Sequence, residues 1–181
     1  QALELRRLAT EQLMNSGHVA QGTQIAAEVL SQVGLTMPRT PRRALVSLLI
    51  NQGRLRLRGY QFTPRERSQI PHQDLARIDA CIAVGNGLGA IDPVMASNFF
   101  AIGLRHALRA GDSASVVRAL ALDAAEGSAV GGRAFPRSQR LIRRAADVAG
   151  QINRQDLVGY VELMEGVANF LQGNWSDAIR L

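Results

Sequence analysis

Apolar side chains recur every three or four residues along most of the 181-residue chain, which is the spacing that an amphipathic helix requires. This pattern predicts helices over about 1–16, 18–33, 41–58, 71–88, 93–110, 113–129, 136–152 and 155–172, with a short further helix opening after Gly173. The segment RLRLR, 54–58, alternates like a strand, but it continues a helical pattern and has no partner strand nearby. We therefore expect an all-α fold of about eight helices and no strand.

Turn and cap residues separate these predicted helices. Gly34 and Gly111 each follow the last periodic residue of a helix, where glycine is the usual stop. Thr40-Pro41 and Asp92-Pro93 each read as an N-cap followed by proline at the first helical position. The longest polar connection is GYQFTPRERSQI, 59–70.

Three turns share a pattern that an antiparallel helix hairpin needs: GHVAQG at 17–22, GDSASV at 111–116 and GNWSDA at 173–178. Each begins with a glycine, which permits a positive φ, and places a short residue five positions later, where two helices approach. These turns predict a single domain over 1–181, a TPR-like array of antiparallel helix hairpins that forms an α–α superhelix. An irregular helical bundle stays open as the alternative, because the loops keep no period of about 34 residues.

The last of these units is the most regular. Gly166, Gly173, Trp175 and Ala178 have the spacing of a tetratricopeptide repeat. Trp175, Ala178 and Ile179 would form an apolar face that a hairpin cannot bury alone. We therefore expect that the chain is a fragment of a longer protein, and that the next repeat or a second copy of the chain covers this face.

Composition narrows the class of protein. The chain is 46% hydrophobic and only 4% aromatic, so a core must be built from Leu, Ala, Val and Ile. The net charge is +6, and all 21 basic residues are Arg, a bias more typical of a GC-rich genome than of selection for phosphate contacts. No segment reaches the roughly 20 apolar residues of a membrane span. The N-terminus is not typical of a signal peptide, and a single cysteine allows no internal disulfide, so we expect a cytoplasmic protein without membrane contact.

Two motifs that would indicate a nucleotide or kinase site are not supported. GNGLG, 85–89, resembles a phosphate loop, but it lies within or at the end of a predicted helix and no strand precedes it. The chain has no Lys, so it offers neither a P-loop lysine nor the ATP-anchoring lysine of a kinase. We expect no cofactor.

Metal and catalytic sites are also not indicated. His18, His72 and His106 lie far apart and have no metal-ligand spacing. Cys81 lies in an apolar helical run, which favours a buried structural thiol. Asp74 and Asp79 are five residues apart and do not share a helix face, so they are expected to cap the helix or to pair with Arg77. We therefore expect no catalytic residue and no metal ligand in this chain.

Two arginine clusters and one tryptophan are the candidate interaction surface. The residues are Arg54, Arg56, Arg58, Arg137, Arg140, Arg144 and Trp175. The second cluster lies within PRSQRLIRR, 136–144, at spacings of three and four, so its members share one helix face. A phosphopeptide, an acidic partner or RNA could bind there; the alternative is a solvated face or pairing with Asp and Glu. The absence of interleaved aromatics counts against single-stranded nucleic acid.

Over residues 12–126 the order of several segments is distinctive. They are SGHVAQG, VLSQVGLTMPRTPRRALVSLL, RLRLRGYQF, LARIDACIAVGNGLGAIDPVMASNF, LRHALRAGD and VVRALALDAAEGS. This order resembles the α-helical tail that follows the AAA-type ATPase module in large bacterial serine/threonine protein kinases. The resemblance implies a TPR-like tail of an ATP-dependent parent kinase, with the catalytic residues in other domains and none on this chain.

The expected function is therefore a non-catalytic protein–protein interaction or regulatory module. Its expected partners are a protein or peptide, other domains of the same chain, or a second copy that pairs through the C-terminal repeat face. A nucleic-acid-associated helical domain that uses the Arg clusters is the alternative.

Overall fold

The computed structural model describes residues 12–13, 16, 18–132 and 135–178, and these contain no strand. The helices within them are α1 (Val19–Gln32), α2 (Pro41–Arg58), α3 (His72–Leu88), α4 (Pro93–Ala110), α5 (Ser113–Ser128), α6 (Phe135–Gln151), α7 (Gln155–Leu171) and α8 (Trp175–Ala178). The connection before α3 contains one 3-10 turn, Arg67–Gln69. The predicted all-α class is confirmed.

The helix ends follow from local capping chemistry. Thr40 Oγ1 accepts a hydrogen bond from the Arg43 N–H at 3.3 Å, and Asp92 Oδ1 accepts one from the Met95 N–H at 3.0 Å. Each cap satisfies a backbone donor that has no partner within its helix. Gly111 ends α4 with a φ of +82°, a conformation that glycine adopts without strain. Both predicted N-caps are confirmed.

Consecutive helices pack as pairs in the C-terminal two thirds of the fold. α3 packs on α4, α5 on α6, and α7 on α8. These pairs stack because α4 also contacts α5, and α5 also contacts α7. In this stack α2, α6 and α7 all contribute side chains to one core, and their other sides face outward.

The first two helices depart from a regular hairpin array. α1 packs on α3 and α2 packs on α4, rather than mainly on each other. The chain between them, 33–40, has no regular structure over 35–38 and includes Pro38, which cannot continue a helix. The linker is therefore long enough to place α2 beside α4. The hairpin array predicted from the turns does not extend to this pair.

The core is aliphatic, as the composition predicts. Its largest cluster joins Leu55 of α2, Ile78 of α3, Leu104 of α4, Leu120 of α5 and Leu141 of α6. Each fully buried side chain of this size stabilises the fold by roughly 1.5–3 kcal/mol. This shared core fixes α2 and α6 relative to each other, which matters for the site described below.

Some predicted features lie outside the described residues. They are most of the first predicted helix, the turn glycine Gly17 and the apolar residue Ile179. Among the helices that are described, none is long and apolar enough to cross a membrane.

Candidate functional site

One arginine of the first cluster and all three of the second meet in one groove of about 890 Å³. Its lining residues are Arg56, Tyr60, Gln61, Val130, Gly131, Arg137, Arg140, Leu141 and Arg144. We call it the arginine groove. One wall is formed by the end of α2 with the loop that follows it, and the other by α6 and the turn that precedes it. Helices from distant parts of the chain therefore bring their arginines to one surface.

The phase of α6 explains why three of its arginines share the groove. Leu141, Ile142 and Ala145 are buried against the core. Arg137, Arg140 and Arg144 follow one another at spacings of three and four, which keeps them on neighbouring positions of one face. The prediction that these three share a helix face is supported by their common place in the groove lining.

The phase of α2 divides the other cluster. Residues two apart on an α-helix are separated by about 200° around its axis. Arg56 therefore lies on the opposite side of α2 from both Arg54 and Arg58. Arg56 lines the arginine groove. Arg54 lines a different surface with Arg42 and Arg43, and Arg58 lies toward the loop that follows α2. The two outer arginines of RLRLR thus do not belong to the same surface as Arg56, contrary to their grouping in the sequence.

Arg58 is occupied by backbone acceptors. Its guanidinium donates to the carbonyl oxygens of Gly59 at 3.2 Å, Gln61 at 3.1 Å and Leu108 at 3.2 Å. These bonds tie the loop after α2 to the last turn of α4. Its role is to hold the backbone that carries Tyr60 and Gln61 in the groove wall.

Arg137 is held in an ion pair beneath the groove. Its Nη2 donates to Asp123 Oδ2 at 2.7 Å, to Tyr60 OH at 2.7 Å and to Gln52 Oε1 at 2.9 Å. The exposed fractions of the two ion-paired side chains are 19% for Arg137 and 2% for Asp123. Gln52 Nε2 completes the network with a 2.7 Å bond to Asp123 Oδ1. Arg137 therefore joins α2, α5 and α6.

This network keeps Arg137 charged. Burial alone lowers the pKa of Arg137, but the Asp123 carboxylate and Tyr60 outweigh burial, so the pKa is raised above its usual value. The guanidinium also lies 5.9 Å from the centroid of the Tyr60 ring, within the range of a cation–π contact. The result is a floor at one side of the groove in which the Arg137 charge is balanced by Asp123.

The other groove arginines have no carboxylate partner among the described residues. Arg56 and Arg140 are exposed, and Arg144 is half-buried. Arg144 Nη2 donates to Gln61 Oε1 at 3.2 Å, and Arg140 Nε donates to the Pro136 carbonyl at 3.3 Å. None of the groove-lining residues is acidic. Three positive charges thus face the groove without compensation, which suits a negatively charged ligand.

Sequence reasoning missed three residues of this site. Tyr60 and Gln61 follow the basic end of α2 in a polar loop, where hydrophobic periodicity carries no information. Asp123 stands in the apolar run ALALDAAEG, and a carboxylate within a buried helix face usually requires a cationic partner. That signal could have indicated that one of the arginines is committed to the interior.

Trp175 belongs to a separate surface. It is 65% exposed at the start of α8, and α7 and α8 together form a groove of about 430 Å³. That groove is lined by Gly159, Glu162, Leu163, Gly166, Val167, Phe170 and Ala178. The predicted interaction surface is therefore divided. Arg56 and three arginines of α6 line one basic groove, while Arg54, Arg58 and Trp175 lie outside it.

Three other features that the sequence singled out, a cysteine, an ion pair and a glycine-rich motif, have structural roles. Cys81 is fully buried, and burial raises the pKa of its thiol to about 12, so the thiolate is not formed near neutral pH. Arg77 Nη1 pairs with Asp74 Oδ1 at 3.1 Å, as predicted. GNGLG lies along the last turn of α3, where Gly85 allows the Phe100 ring to pack closely. In the described part of the chain, no three His, Cys, Asp or Glu residues are grouped to hold a metal ion.

Comparison with known proteins does not place this chain in a family. No protein-family model matches this chain, and no curated protein and no solved structure is significantly similar to it.

Proposed function

We propose that this chain is a non-catalytic protein-interaction module that binds an extended acidic peptide segment in the arginine groove. The observation that carries the proposal is the convergence of Arg56 with Arg140 and Arg144 in a groove without an acidic lining residue. A volume of about 890 Å³ accommodates several side chains of a peptide rather than a single ion.

Guanidinium groups suit this ligand. Arginine presents a planar fork of donors that binds a carboxylate or a phosphate through two parallel hydrogen bonds. Exposed ion pairs contribute only about 0.2–1 kcal/mol each, so useful affinity requires several of them along one ligand. Three arginines on two facing walls meet that requirement, and the Arg137–Asp123 ion pair keeps the walls in place.

The resemblance to a bacterial kinase tail supports a regulatory role for such binding. In that setting the acidic segment would belong to another domain of the parent kinase or to a separate signalling protein. We place this interaction in the cytoplasm, on the basis of the single buried cysteine and the absence of disulfide pairing partners in the sequence.

Nucleic acid is the less favoured ligand. Single strands usually stack their bases on exposed aromatic rings. Tyr60 is the aromatic residue in the groove lining, and both its hydroxyl and its ring are engaged by Arg137. The arginine groove therefore offers charge without a stacking platform, which favours an acidic peptide.

Fluorescence anisotropy with a labelled twelve-residue peptide of alternating Glu and Ser tests the proposal. The test variant is Arg140→Ala with Arg144→Ala. The control, Arg39→Ala with Arg43→Ala, removes the same charge outside the groove. We expect the test variant to bind about tenfold more weakly at 0.15 M salt, and the control to change by less than about twofold, because each lost pair contributes up to about 1 kcal/mol.

Two outcomes would overturn this proposal. An equal loss in both variants would mean that the peptide responds only to net charge. Tighter binding of a single-stranded RNA of the same charge, lost in the same test variant, would favour the nucleic-acid alternative.

A further inference from the structure

Helix α2 has a second apolar side that faces away from the fold. Its inner side packs on α4 through buried Ala44 and Leu55. The residues on its outer side are Leu45, Val46, Leu49, Ile50 and Leu57, and each is exposed by nearly half or more. We call them the α2 outer face. A helix that is apolar on both sides is typical of one that packs against a neighbour on both sides.

A matching apolar surface lies on the last two helices. Leu163, Val167 and Phe170 follow one another at helical spacing on α7, and Trp175 is exposed at the start of α8, which packs on α7. Phe170 is 63% exposed and Leu163 is 60% exposed. We call these four residues the terminal face. Apolar side chains grouped in this way on a surface usually mark an interaction site.

The two faces carry opposite charge. The α2 segment 41–58 contains Arg42, Arg43, Arg54, Arg56 and Arg58 and no acidic residue. The α7–α8 segment 155–178 contains Asp156, Glu162, Glu165 and Asp177 and no basic residue. Asp156 is paired with Arg154, so Glu162 and Glu165 supply the acidic charge on α7. Arg42, Arg43 and Arg54 border the α2 outer face directly, and Glu162 lies in the groove of the terminal face.

The two faces also lie on helices at opposite ends of the packing order. α2 packs on α4, α4 on α5, and α5 on α7. Each face is thus exposed on its own side of this series. Pairing like with like would bring two basic faces or two acidic faces together, which is unfavourable.

We infer that the α2 outer face of one copy packs against the terminal face of a second copy, in a head-to-tail arrangement. Apolar burial supplies the attraction, and the opposite charges at the edges select the pairing. Such an interface is heterologous, so it leaves one free face at each end of a dimer and allows further copies to add. This inference is independent of the peptide proposed for the arginine groove.

A mixing experiment distinguishes this arrangement from a symmetric dimer. Leu49→Glu blocks the α2 outer face, and Phe170→Glu blocks the terminal face. Light scattering is measured on each variant alone and on an equimolar mixture, at concentrations where the wild-type chain self-associates. Each variant alone should be a monomer, since every contact would need its blocked face.

The mixture should form a species of twice the monomer mass and stop there, because the intact terminal face of Leu49→Glu meets the intact α2 outer face of Phe170→Glu. The exposed residue Ile91, which lines neither face nor the arginine groove, provides a control: Ile91→Glu should associate like the wild type. Ile50→Glu with Trp175→Glu is a second pair that should repeat the result.

Three results would overturn the inference. One is a wild-type chain that stays monomeric at millimolar concentration. Another is a mixture that stays monomeric. The last is a Leu49→Glu variant that still dimerises on its own, since that would show a symmetric pairing of terminal faces.

Discussion

A single ion pair sets Arg137 apart from the two arginines that share its helix face. Arg137 lies in the same helix face as Arg140 and Arg144, yet its Nη2 is bound by Asp123, Gln52 and Tyr60. These bonds hold the guanidinium beneath the groove, where its side chain is only 19% exposed. Its contribution to the site is to fix the position of the groove walls.

Removing Arg137 should destabilise the fold more than removing its neighbour. Arg137→Ala leaves the buried Asp123 carboxylate without its cation, and the loss from breaking a buried pair is about 3 kcal/mol. Arg140→Ala, on an exposed side chain, should change the free energy of unfolding by less than about 0.5 kcal/mol. Urea denaturation followed by circular dichroism measures both.

A double-variant cycle checks the cause. Asp123→Ala combined with Arg137→Ala should lose clearly less stability than the sum of the two single variants, because the second change removes a charge that the first has already left unpaired. Additive losses would show that the two side chains do not interact in the way that the 2.7 Å contact implies.

His106 should make stability depend on pH. Burial lowers the pKa of His106, and Arg105, Arg77 and Arg109 lower it further, while Asp74 partly opposes them. Below about pH 6.5 the unfolded chain therefore binds a proton that the folded chain resists, so stability falls as the pH decreases through this range.

The measurement is the free energy of unfolding at pH 7 and at pH 5, for the wild type and for His106→Gln. The wild type should lose more stability between the two values than the variant does. Glu126, whose pKa is raised chiefly by burial, is present in both proteins, so its contribution cancels in the comparison. An identical loss in both proteins would contradict the assignment to His106.

At the scale of the elements, the turn between α4 and α5 concentrates several constraints. Gly111 ends α4 in the left-handed conformation, and its carbonyl accepts a 2.9 Å bond from the Arg65 N–H. Asp112 Oδ2 caps α5 by accepting from the Ser115 N–H at 3.1 Å and from the Ser115 hydroxyl at 2.5 Å. The same carboxylate pairs with Arg67 at 3.0 Å.

Two substitutions at Asp112 separate the cap from the charge. Asp112→Ala removes both and should cost about 1–2 kcal/mol of stability, as expected for loss of an N-cap. Asp112→Asn keeps a capping oxygen and should cost less than about 1 kcal/mol, because the Arg67 side chain is more than half exposed and its pair is weakly stabilising. Thermal unfolding of the two variants measures the difference; equal losses would assign the effect to the ion pair instead.

The elements could be predicted from the sequence because their causes are local. Thr40-Pro41 and Asp92-Pro93 predict helix starts because each combines a capping side chain with a proline at the first helical position. The spacing of apolar residues predicts which side of α6 is buried. The arrangement of α1 and α2 could not be predicted, since the length of a linker does not say which helix lies beside it. Only one wall of the arginine groove could be predicted from the sequence. The spacing within α6 places its own arginines on one face, but the packing of α2 against the core, which the sequence does not specify locally, brings Arg56 to them.

In the whole molecule, we propose that two surfaces with different chemistry bind different partners. The arginine groove is polar and positively charged, and we propose that it selects an acidic peptide. The α2 outer face and the terminal face are apolar with opposite charges at their edges, and we propose that they join copies of the chain. An assembly of this kind would present several arginine grooves together, so a ligand with repeated acidic segments would bind more tightly than a single segment.

We propose that the charges of Arg56, Arg140 and Arg144 select the ligand of the arginine groove, and a charge swap at these three positions tests this. The measurement is the anisotropy of one acidic and one basic peptide of equal length, titrated with the wild type and with the triple variant Arg56→Glu, Arg140→Glu and Arg144→Glu. We expect the wild type to bind the acidic peptide and the triple variant to bind the basic peptide instead. A triple variant that still binds the acidic peptide within about twofold of the wild type would contradict it, since that difference is under about 0.5 kcal/mol.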